Sequence, residues 1–387
     1  MIADVFTKWS YEEDSASRNQ PFVTLKPKDA CKWWVVLAEG QSAPRHWDTI
    51  NTVCDLAAEM AWERLRSDPT LLCLHAGAVD IGGKLVVLPN GRRAGKSTLS
   101  TALGRLGHRL YTDDFLPIRA PNNTSGFVGV ANGIAPRIRL PLPTNFSDEF
   151  RAWVERDPGP SNKQYKYLLT CPIARGGETM PLGALVILDR QDHPCAPSLQ
   201  EYSIKDTIAT LIAQNFARTL HAGTILESVE MLARQVPSYR LTYHCGEEAA
   251  AYLSTHEKLK PTQTAKPTLA TPKIRQAPLD GPLQQPAPLF ERTCRYVQAP
   301  NVTKTEAGSE HFLADGSGIA IHRLNAGSAA IWNLLKEPAD LNEVVDILVS
   351  AFDDVVVDQV QADSECLMRS LAEANLIVPA LPIEVVS

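Results

Sequence analysis

Gly95-Lys96-Ser97-Thr98 follows the strand-like run Leu85-Val86-Val87-Leu88-Pro89 and opens a helix-like one. These residue types at this spacing suit a phosphate group. Glycines let backbone amides approach an anion at a helix N-terminus, a lysine reaches the outer phosphates, and a Ser or Thr hydroxyl supports magnesium. Asn90, Gly91, Arg92, Arg93 and Ala94 complete the nucleotide-binding stretch, with Asn90 where such loops carry their first glycine. Asn tolerates left-handed backbone geometry, so the loop can keep its shape. The alternative is a strand-loop-helix turn whose GKST does no more than cap the helix. A strand before and a helix after favour the phosphate loop.

Two adjacent carboxylates, Asp113 and Asp114, end the strand-like His108-Arg109-Leu110-Tyr111-Thr112. In a parallel α/β arrangement, strand C-termini face the crevice into which such a loop opens. One carboxylate then takes the proton of an attacking hydroxyl while the other supports the metal. A solvated strand end is the plain alternative. Arg137 and Arg139 alternate outward on a short extended piece. Guanidinium forks there suit phosphate clamping, and two solvated arginines on an edge strand are the competing reading. Asp189, closing Ala184-Leu185-Val186-Ile187-Leu188, reads as a polar strand terminus, because the Asp113–Asp114 pair already fills the magnesium role.

A chain of 387 residues accommodates two or three domains. With 44% hydrophobic and 21% charged residues, most of it can bury a core. A net charge of −6 argues against coating nucleic acid or an anionic membrane, and neither is expected as a partner. The first twenty residues lack the basic and apolar regions of a secretion signal. No run approaches the ~18 apolar residues that a bilayer span needs. Eight scattered cysteines without a C-x-x-C pair fit reduced thiols, and the expected location is cytoplasmic.

Seven prolines between 261 and 288 mark a linker over 256–289, since proline lacks the amide donor and fixes its own φ. The expected division is an N-terminal segment 1–70 packing on a catalytic domain 71–255, the linker, and a smaller domain 290–387. Helical spacing over 46–65 puts Ile50, Val53, Cys54, Leu56, Ala57, Met60 and Ala61 on one side. Residues 71–89 read as two strands around Gly82-Gly83, 98–107 as a short helix, 182–190 as a buried strand, and 224–235 as a helix before a last strand, Ser238-Tyr239-Arg240-Leu241-Thr242-Tyr243-His244. The expected fold is α/β, with helices around a mixed sheet. In the smaller domain a hairpin turning at Asp315-Gly316 precedes helices at 326–336, 340–352 and 358–374, a winged-helix arrangement.

Three stretches occur in one order: His75-Ala76-Gly77-Ala78-Val79-Asp80-Ile81, then Asn90 to Ser97, then Leu106-Gly107-His108-Arg109-Leu110-Tyr111-Thr112-Asp113-Asp114. Together they resemble the HPr kinase/phosphorylase family, over about 70–250 and most strongly over 71–119. The resemblance implies a P-loop kinase domain using ATP and Mg²⁺. Lys96 and Ser97 would hold nucleotide phosphates and magnesium, Asp113 would be general base on a serine hydroxyl, and Asp114 would stand beside it at the metal. His75 would line the catalytic pocket, with a satisfied histidine between two strands as the alternative. Asn90 and Arg93 replace family glycines. The family's substrate-handling L-E-I-R-G has as counterpart Gly133-Ile134-Ala135-Pro136-Arg137-Ile138-Arg139-Leu140-Pro141-Leu142-Pro143, without the Glu. That difference argues against the carrier protein HPr as acceptor.

Residues 322–335, His-Arg-Leu-Asn-Ala-Gly-Ser-Ala-Ala-Ile-Trp-Asn-Leu-Leu, with the helix at 360–377, resemble the PqqD family of peptide-recognition domains over about 296–380. The resemblance implies binding of the leader of a ribosomally made precursor peptide, added as a strand beside the last helix. Ile319, Ala320, Ile321 and His322 would offer the edge, with Leu367, Arg369, Ser370 and Glu373 facing it. Leu324, Ala329, Ile331, Trp332, Leu335, Val344, Leu348 and Leu371 are expected in the core. A DNA-binding winged helix is opposed by Asp363, Glu365 and Glu373 against Arg369 on the last helix. The combined expectation is a kinase acting on a Ser or Thr hydroxyl of a precursor peptide. The alternatives are a nucleotide-gated peptide chaperone and a small-molecule kinase. Further peptide-modifying enzymes as partners, and a homo-oligomer, stay open.

Overall fold

Gly82 and Gly83, both at positive φ (65° and 84°), turn the chain between strands Leu71–Ile81 and Lys84–Pro89. Only a residue without Cβ takes two such angles in succession at no steric cost. The two strands pair antiparallel from Ile81↔Lys84 to Ala76↔Pro89, and this hairpin is the spine of the larger unit. The computed structural model describes residues 2–10, 21–30, 33–41, 43–68, 70–91, 93–120, 126–216, 220–260, 289–352 and 355–380. Arg92 and the seven prolines of the expected linker lie outside the described residues. The chain divides into two compact units, one of Met1–Ala217 with Leu232–Thr271, the other of Arg218–Met231 with Pro272–Ser387.

The large unit is α/β. Its main sheet runs in the order Ser198–Glu201, Ser238–Tyr243, Thr179–Arg190, Lys84–Pro89, Leu71–Ile81, Phe115–Arg119, Val128–Val130. Thr179–Arg190 pairs parallel with Ser238–Tyr243 and with Lys84–Pro89. Strands covered on both faces read as near-continuous apolar runs, and Leu85, Val86, Val87 and Leu88 are buried. The first residues of Thr179–Arg190 also pair with Val128–Val130, so the sheet path curls back to the strand it left. Helix Lys96–Arg105 packs Leu99, Ala102 and Leu103 into the core with Val79, Ile81, Leu110 and Val186. A Cβ on Gly77 would stand 2.6 Å from Ser100 Oγ, which is how closely this helix lies on the hairpin.

Asp113-Asp114 follow a strand end, as expected, but that strand runs antiparallel to its neighbour in the hairpin. Leu110–Thr112 pairs with Ala78 and Val79 of the hairpin strand, and Phe115–Arg119 continues along the same strand opposite Leu71 to His75. The two carboxylates therefore occupy a bend between two strands that pair with the same hairpin strand. Ala76 fixes where that bend falls: it pairs with Pro89 on one side and donates its N–H to Asp114 O on the other, at 3.0 Å. Adjacent strands lie about 4.8 Å apart, which sets the start of the phosphate loop and the carboxylates roughly 10 Å apart across one strand.

The N-terminal residues add a three-stranded antiparallel sheet, Val23–Lys28, Trp33–Ala38 and Arg45–Asp48, and helix Thr49–Ser67. The helix begins later than its apolar spacing suggests, because Asp48 caps it by accepting from Asn51 N–H at 2.9 Å. Ile50, Val53 and Ala61 are buried, whereas Cys54, Leu56, Ala57 and Met60 are half-buried. Helix Ile2–Val5 leads into residues bound to the segment before Arg137: Ala135 N–H donates to Val5 O at 2.8 Å and Trp9 Nε1 to Asn132 O at 2.6 Å.

In the second unit, strands Thr303–Ala307, Glu310–Ala314 and Ile321–Leu324 form an antiparallel sheet in that order. The hairpin turn is built by Asp315, whose Oδ1 accepts from Gly318 N–H at 2.8 Å and Ile319 N–H at 3.0 Å. Helices Ala326–Leu334, Leu341–Ala351 and Val357–Glu373 follow. Leu324, Ala329, Ile331, Trp332, Leu335, Val344 and Leu371 are buried in its core, with Leu348 partly buried against it.

Gly133 has φ +65°, and a Cβ there would lie 2.7 Å from the Gly176 backbone. Gly133→Ala is expected to destabilise the protein by on the order of 2 kcal/mol, read as a lower urea midpoint at unchanged m-value.

Candidate active site

Asn90 explains its own presence in the loop. Its side-chain Nδ2 donates to Leu188 O at 3.1 Å, and its Oδ1 accepts from Leu188 N–H at 2.8 Å. Backbone pairing between Lys84–Pro89 and Thr179–Arg190 runs only as far as Val87↔Leu185, so the amide side chain carries the ladder onward. Among the described residues of the loop, the left-handed positions are Arg93 (φ 67°) and Gly95 (φ 98°), not Asn90. Arg93 is exposed and occupies a conformation that glycine takes more easily. Gly95 is the N-cap of Lys96–Arg105 and supplies no side-chain cap, which leaves the first helical amides for an anion. A Cβ on Gly95 would meet Tyr243 Oη at 2.5 Å, and that hydroxyl donates to Ala94 O at 3.4 Å.

Lys96 is buried, and its Nζ donates to Asn90 O at 2.6 Å and Gly91 O at 2.8 Å. A glycine-entered, uncapped helix start with a lysine folded over its own loop fits a chain of phosphates. Thr98 continues the same turn.

The carboxylate bend is organised by Thr112. Its Oγ1 accepts from Asp114 N–H at 3.1 Å, Phe115 N–H at 3.2 Å and Asn132 Nδ2 at 2.8 Å. Asp113 is buried, with Oδ2 accepting from Arg137 N–H at 3.1 Å, and Ser97 Oγ donates to Asp113 O at 3.4 Å. The loop and the bend thus meet at Ser97. Burial, and then the charge of Asp114, push the Asp113 carboxyl up to about 6 against the pull of Arg137 and Ser97. Asp114 goes the other way. Burial would raise it, but the His75 hydrogen bond and the charges of Arg137, His75 and Lys96 outweigh burial and hold it below the usual carboxylate range. His75 Nε2 lies 3.4 Å from Asp114 Oδ1, and an Arg137 Nη lies 2.9 Å from Oδ2. Two neighbouring carboxyls driven apart in this way divide acid–base from charge-holding work.

Of the residues expected at the site, His75, Lys96, Ser97, Asp113, Asp114 and Arg137 are brought together. Arg137 departs from the outward reading: its guanidinium is only a quarter exposed, pairs with Asp114, and lies 5.2 Å from the Tyr165 ring. Arg139 is exposed, 5.3 Å from the same ring, and donates to Tyr165 Oη at 3.1 Å. Both follow from strand pairing, Arg139↔Tyr165 and Arg137↔Tyr167. Tyr165 and Tyr167 escaped the sequence reading, although the alternation Tyr165-Lys166-Tyr167 is a strand signal. Cys54, read from the sequence only as part of a helix face, has Sγ 3.3 Å from Tyr167 Oη. Asp189 is a polar strand terminus, accepting from Gln191 Nε2 at 2.9 Å and Thr242 Oγ1 at 3.4 Å.

In the second unit, Ile321–Leu324 is the outer strand of its sheet, with Ile319 exposed and Ala320, Ile321 and His322 half-buried. On the last helix, Leu367 is turned towards the core and lies partly buried against it. Arg369 pairs with Glu365 at 2.9 Å, and Ser370 Oγ donates to Cys366 O at 2.9 Å.

Residues 310–377 match the family model for coenzyme PQQ synthesis protein D (PqqD). The chain contains a PqqD-like region. Among solved structures, TbiB1 in complex with the TbiA(beta) leader peptide is 24% identical over 22% of this chain and 98% of its own, with a TM-score of 0.20. The Hpr(Ser) kinase/phosphatase from Coxiella burnetii is 16% identical over 46% of this chain and 89% of its own, with a TM-score of 0.24. These likenesses are distant. No curated protein matches the chain. Among the described residues, no helix is long and apolar enough to cross a membrane. No group of three or more His, Cys, Asp or Glu side chains gathers there as a metal cage. Ser97 and Asp114 offer oxygen donors of the type that magnesium takes, although Asp114 is engaged by His75 and Arg137.

The raised carboxyl of Asp113 makes a signed prediction. Its contribution to stability is fully present below 3.8 and is lost as pH rises through about 6. Asp113→Asn keeps an acceptor for Arg137 N–H and removes the buried charge. The variant should match the wild type near pH 4 and exceed it at pH 7.5, by on the order of 2–3 kcal/mol in urea unfolding.

Proposed function

We propose that the chain is an ATP- and Mg²⁺-dependent kinase that phosphorylates a Ser or Thr hydroxyl of a ribosomally made precursor peptide, recruited by its leader through the PqqD-like region. The observation that carries the chemistry is Asp113, a buried carboxyl raised to about 6 and joined through Ser97 to a phosphate-type loop. A base needs this affinity for protons to work near neutrality. In the reaction the acceptor oxygen forms a bond to the terminal phosphorus of ATP, the bond from that phosphorus to the oxygen of the leaving diphosphate breaks, and the hydroxyl proton passes to Asp113. Asp114, kept ionised by His75 and Arg137, would share magnesium with Ser97. The ion would neutralise phosphate charge when bound. The amides at the start of Lys96–Arg105 and the Lys96 ammonium hold negative charge that builds on the phosphate oxygens. Arg139, exposed beside Tyr165, is available to the acceptor.

Recruitment rests on the PqqD match and on the position of Ile321–Leu324 at the end of its sheet. A leader added as a further strand gains main-chain hydrogen bonds that tolerate sequence variation, while side-chain pockets select. Tethering the acceptor in this way raises its local concentration at the kinase site.

Intact-mass analysis of a precursor peptide incubated with the protein, ATP and Mg²⁺ tests this reading. One phosphate gained with wild type and lost with Asp113→Asn, a fall of 10³-fold or so, is the expected result. Rates should rise with an apparent pKa near 6 as Asp113 ionises. Removing the leader should lower kcat/KM by about tenfold or more while sparing kcat at saturation. Tight leader binding with no phosphate gained, across nucleotides and peptides, would replace the kinase by a nucleotide-gated peptide chaperone.

A further inference from the structure

Away from the phosphate loop, at the start of the strand that leads to the carboxylate bend, lies a cavity of about 520 Å³ lined by Lys8, Trp9, Arg109, Ile173, Arg175 and Glu178 among others. Three of these side chains are cationic and one is anionic. Arg109 is already engaged, with Glu178 at 2.9 Å and Asp80 at 3.3 Å. Among the described residues, the Arg175 guanidinium reaches only a neutral group, Ser10 Oγ at 3.1 Å. Lys8 and Arg175 therefore bring an excess of two positive charges to a concavity with an aromatic wall.

The cavity wall is bonded to the bend. Trp9 Nε1 donates to Asn132 O, Asn132 Nδ2 donates to Thr112 Oγ1 at 2.8 Å, and Thr112 Oγ1 holds the amides of Asp114 and Phe115. A second route runs from Glu178, which accepts from Tyr111 Oη at 2.8 Å, along Leu110–Thr112. Gly176 N–H donates to Lys8 O at 3.2 Å, so Lys8 and Arg175 sit on segments already tied together.

We propose that this cavity is an effector site for a small dianion, held between Lys8 and Arg175 against Trp9, and that its occupancy stiffens the Asp113–Asp114 bend through Asn132 and Thr112. Bridging the two cations draws the segment carrying Trp9 onto the strip carrying Asn132. The ligand class follows from the lining: two cations select two negative charges, and the indole and Ile173 accept a compact apolar portion. The binding half stands independently of the kinase reading, because neither its residues nor its test involve phosphoryl transfer.

The test uses the full chain carrying Lys96→Met, which weakens the phosphate loop as a competing anion site while keeping the side-chain stem. Inorganic phosphate and malonate are titrated separately by calorimetry, beside the same protein with Lys8→Ala or Arg175→Ala added. Binding weakened about tenfold or more by either change is expected. A response to both anions assigns any compact dianion, and a response to phosphate alone assigns a phosphoryl group. Amide hydrogen exchange then reads the coupling. Phosphate should slow exchange at Asp114 and Phe115 severalfold, and Trp9→Phe should abolish that protection while leaving the affinity within about twofold. Binding indifferent to Lys8 and Arg175, or absent altogether, overturns the site. Binding without protection of the two amides overturns the coupling. A chain that fails in the kinase assay yet passes here would lose the proposed activity and keep the site.

Discussion

The Asp113 carboxylate cannot leave water unless the backbone around it supplies partners, and much of the large unit is arranged to supply them. An unpaired charge buried in protein costs several kcal/mol, so the group either finds donors or holds its proton. Here it does some of each. The Arg137 amide and Ser97 serve the charged form, yet burial and Asp114 keep its proton affinity high. Every element that touches the bend has a further anchor. The segment before Arg137 is bound at Asn132, Gly133 and Ala135 by N-terminal residues and by the strip near Gly176. Moving any of these moves the donors, and with them the charge state of Asp113.

The loop before Lys96–Arg105 obeys a related constraint, because its backbone must stay bent. Side chains hold it from three directions. Asn90 grips the Leu188 backbone, Lys96 spans the loop carbonyls, and Tyr243 sits against Gly95. Asn90 is the informative case. Its amide carries a donor and an acceptor at the spacing of a peptide group, so it can continue a ladder that the strands have left. A glycine there would free the backbone and surrender that grip.

Much of this was legible in the sequence, for a physical reason. The hairpin Leu71–Pro89, the loop and the helix after it are local, and local patterns report local geometry. The three helices of the second unit were readable within two residues, because each has apolar spacing, and Asn325 and Asp340 cap the first two. What failed was long-range. The chain at Asp113-Asp114 gives no sign that pairing resumes at Phe115, since the partner is a hairpin strand some forty residues earlier. Arg137 alternates with Arg139 as an exposed pair would, but Asp114 and Tyr165 on other strands draw it inward. Leu367, which the PqqD resemblance sets facing the leader groove, lies partly buried against the core of the second unit.

The altered strip Gly133–Pro143 makes chemical sense once the bend is considered with it. Asp113 is met here by a main-chain amide, that of Arg137, which any residue but proline provides. The side chain at 137 is therefore not needed to bind Asp113, and its guanidinium turns to Asp114 instead, with Tyr165 beneath it. Asp114 then holds its negative charge from two sides, His75 and Arg137, while at Asp113 the Arg137 charge is outweighed by burial and by the charge of Asp114. The split between the two carboxyls thus arises because burial and the Asp114 charge prevail at Asp113, whereas the His75 hydrogen bond and the Arg137 charge prevail over burial at Asp114. Replacing that arginine with an apolar residue would leave the Asp113 amide contact intact and raise the proton affinity of Asp114. The difference in proton affinity between the two carboxyls would then narrow, with the fold around the bend preserved.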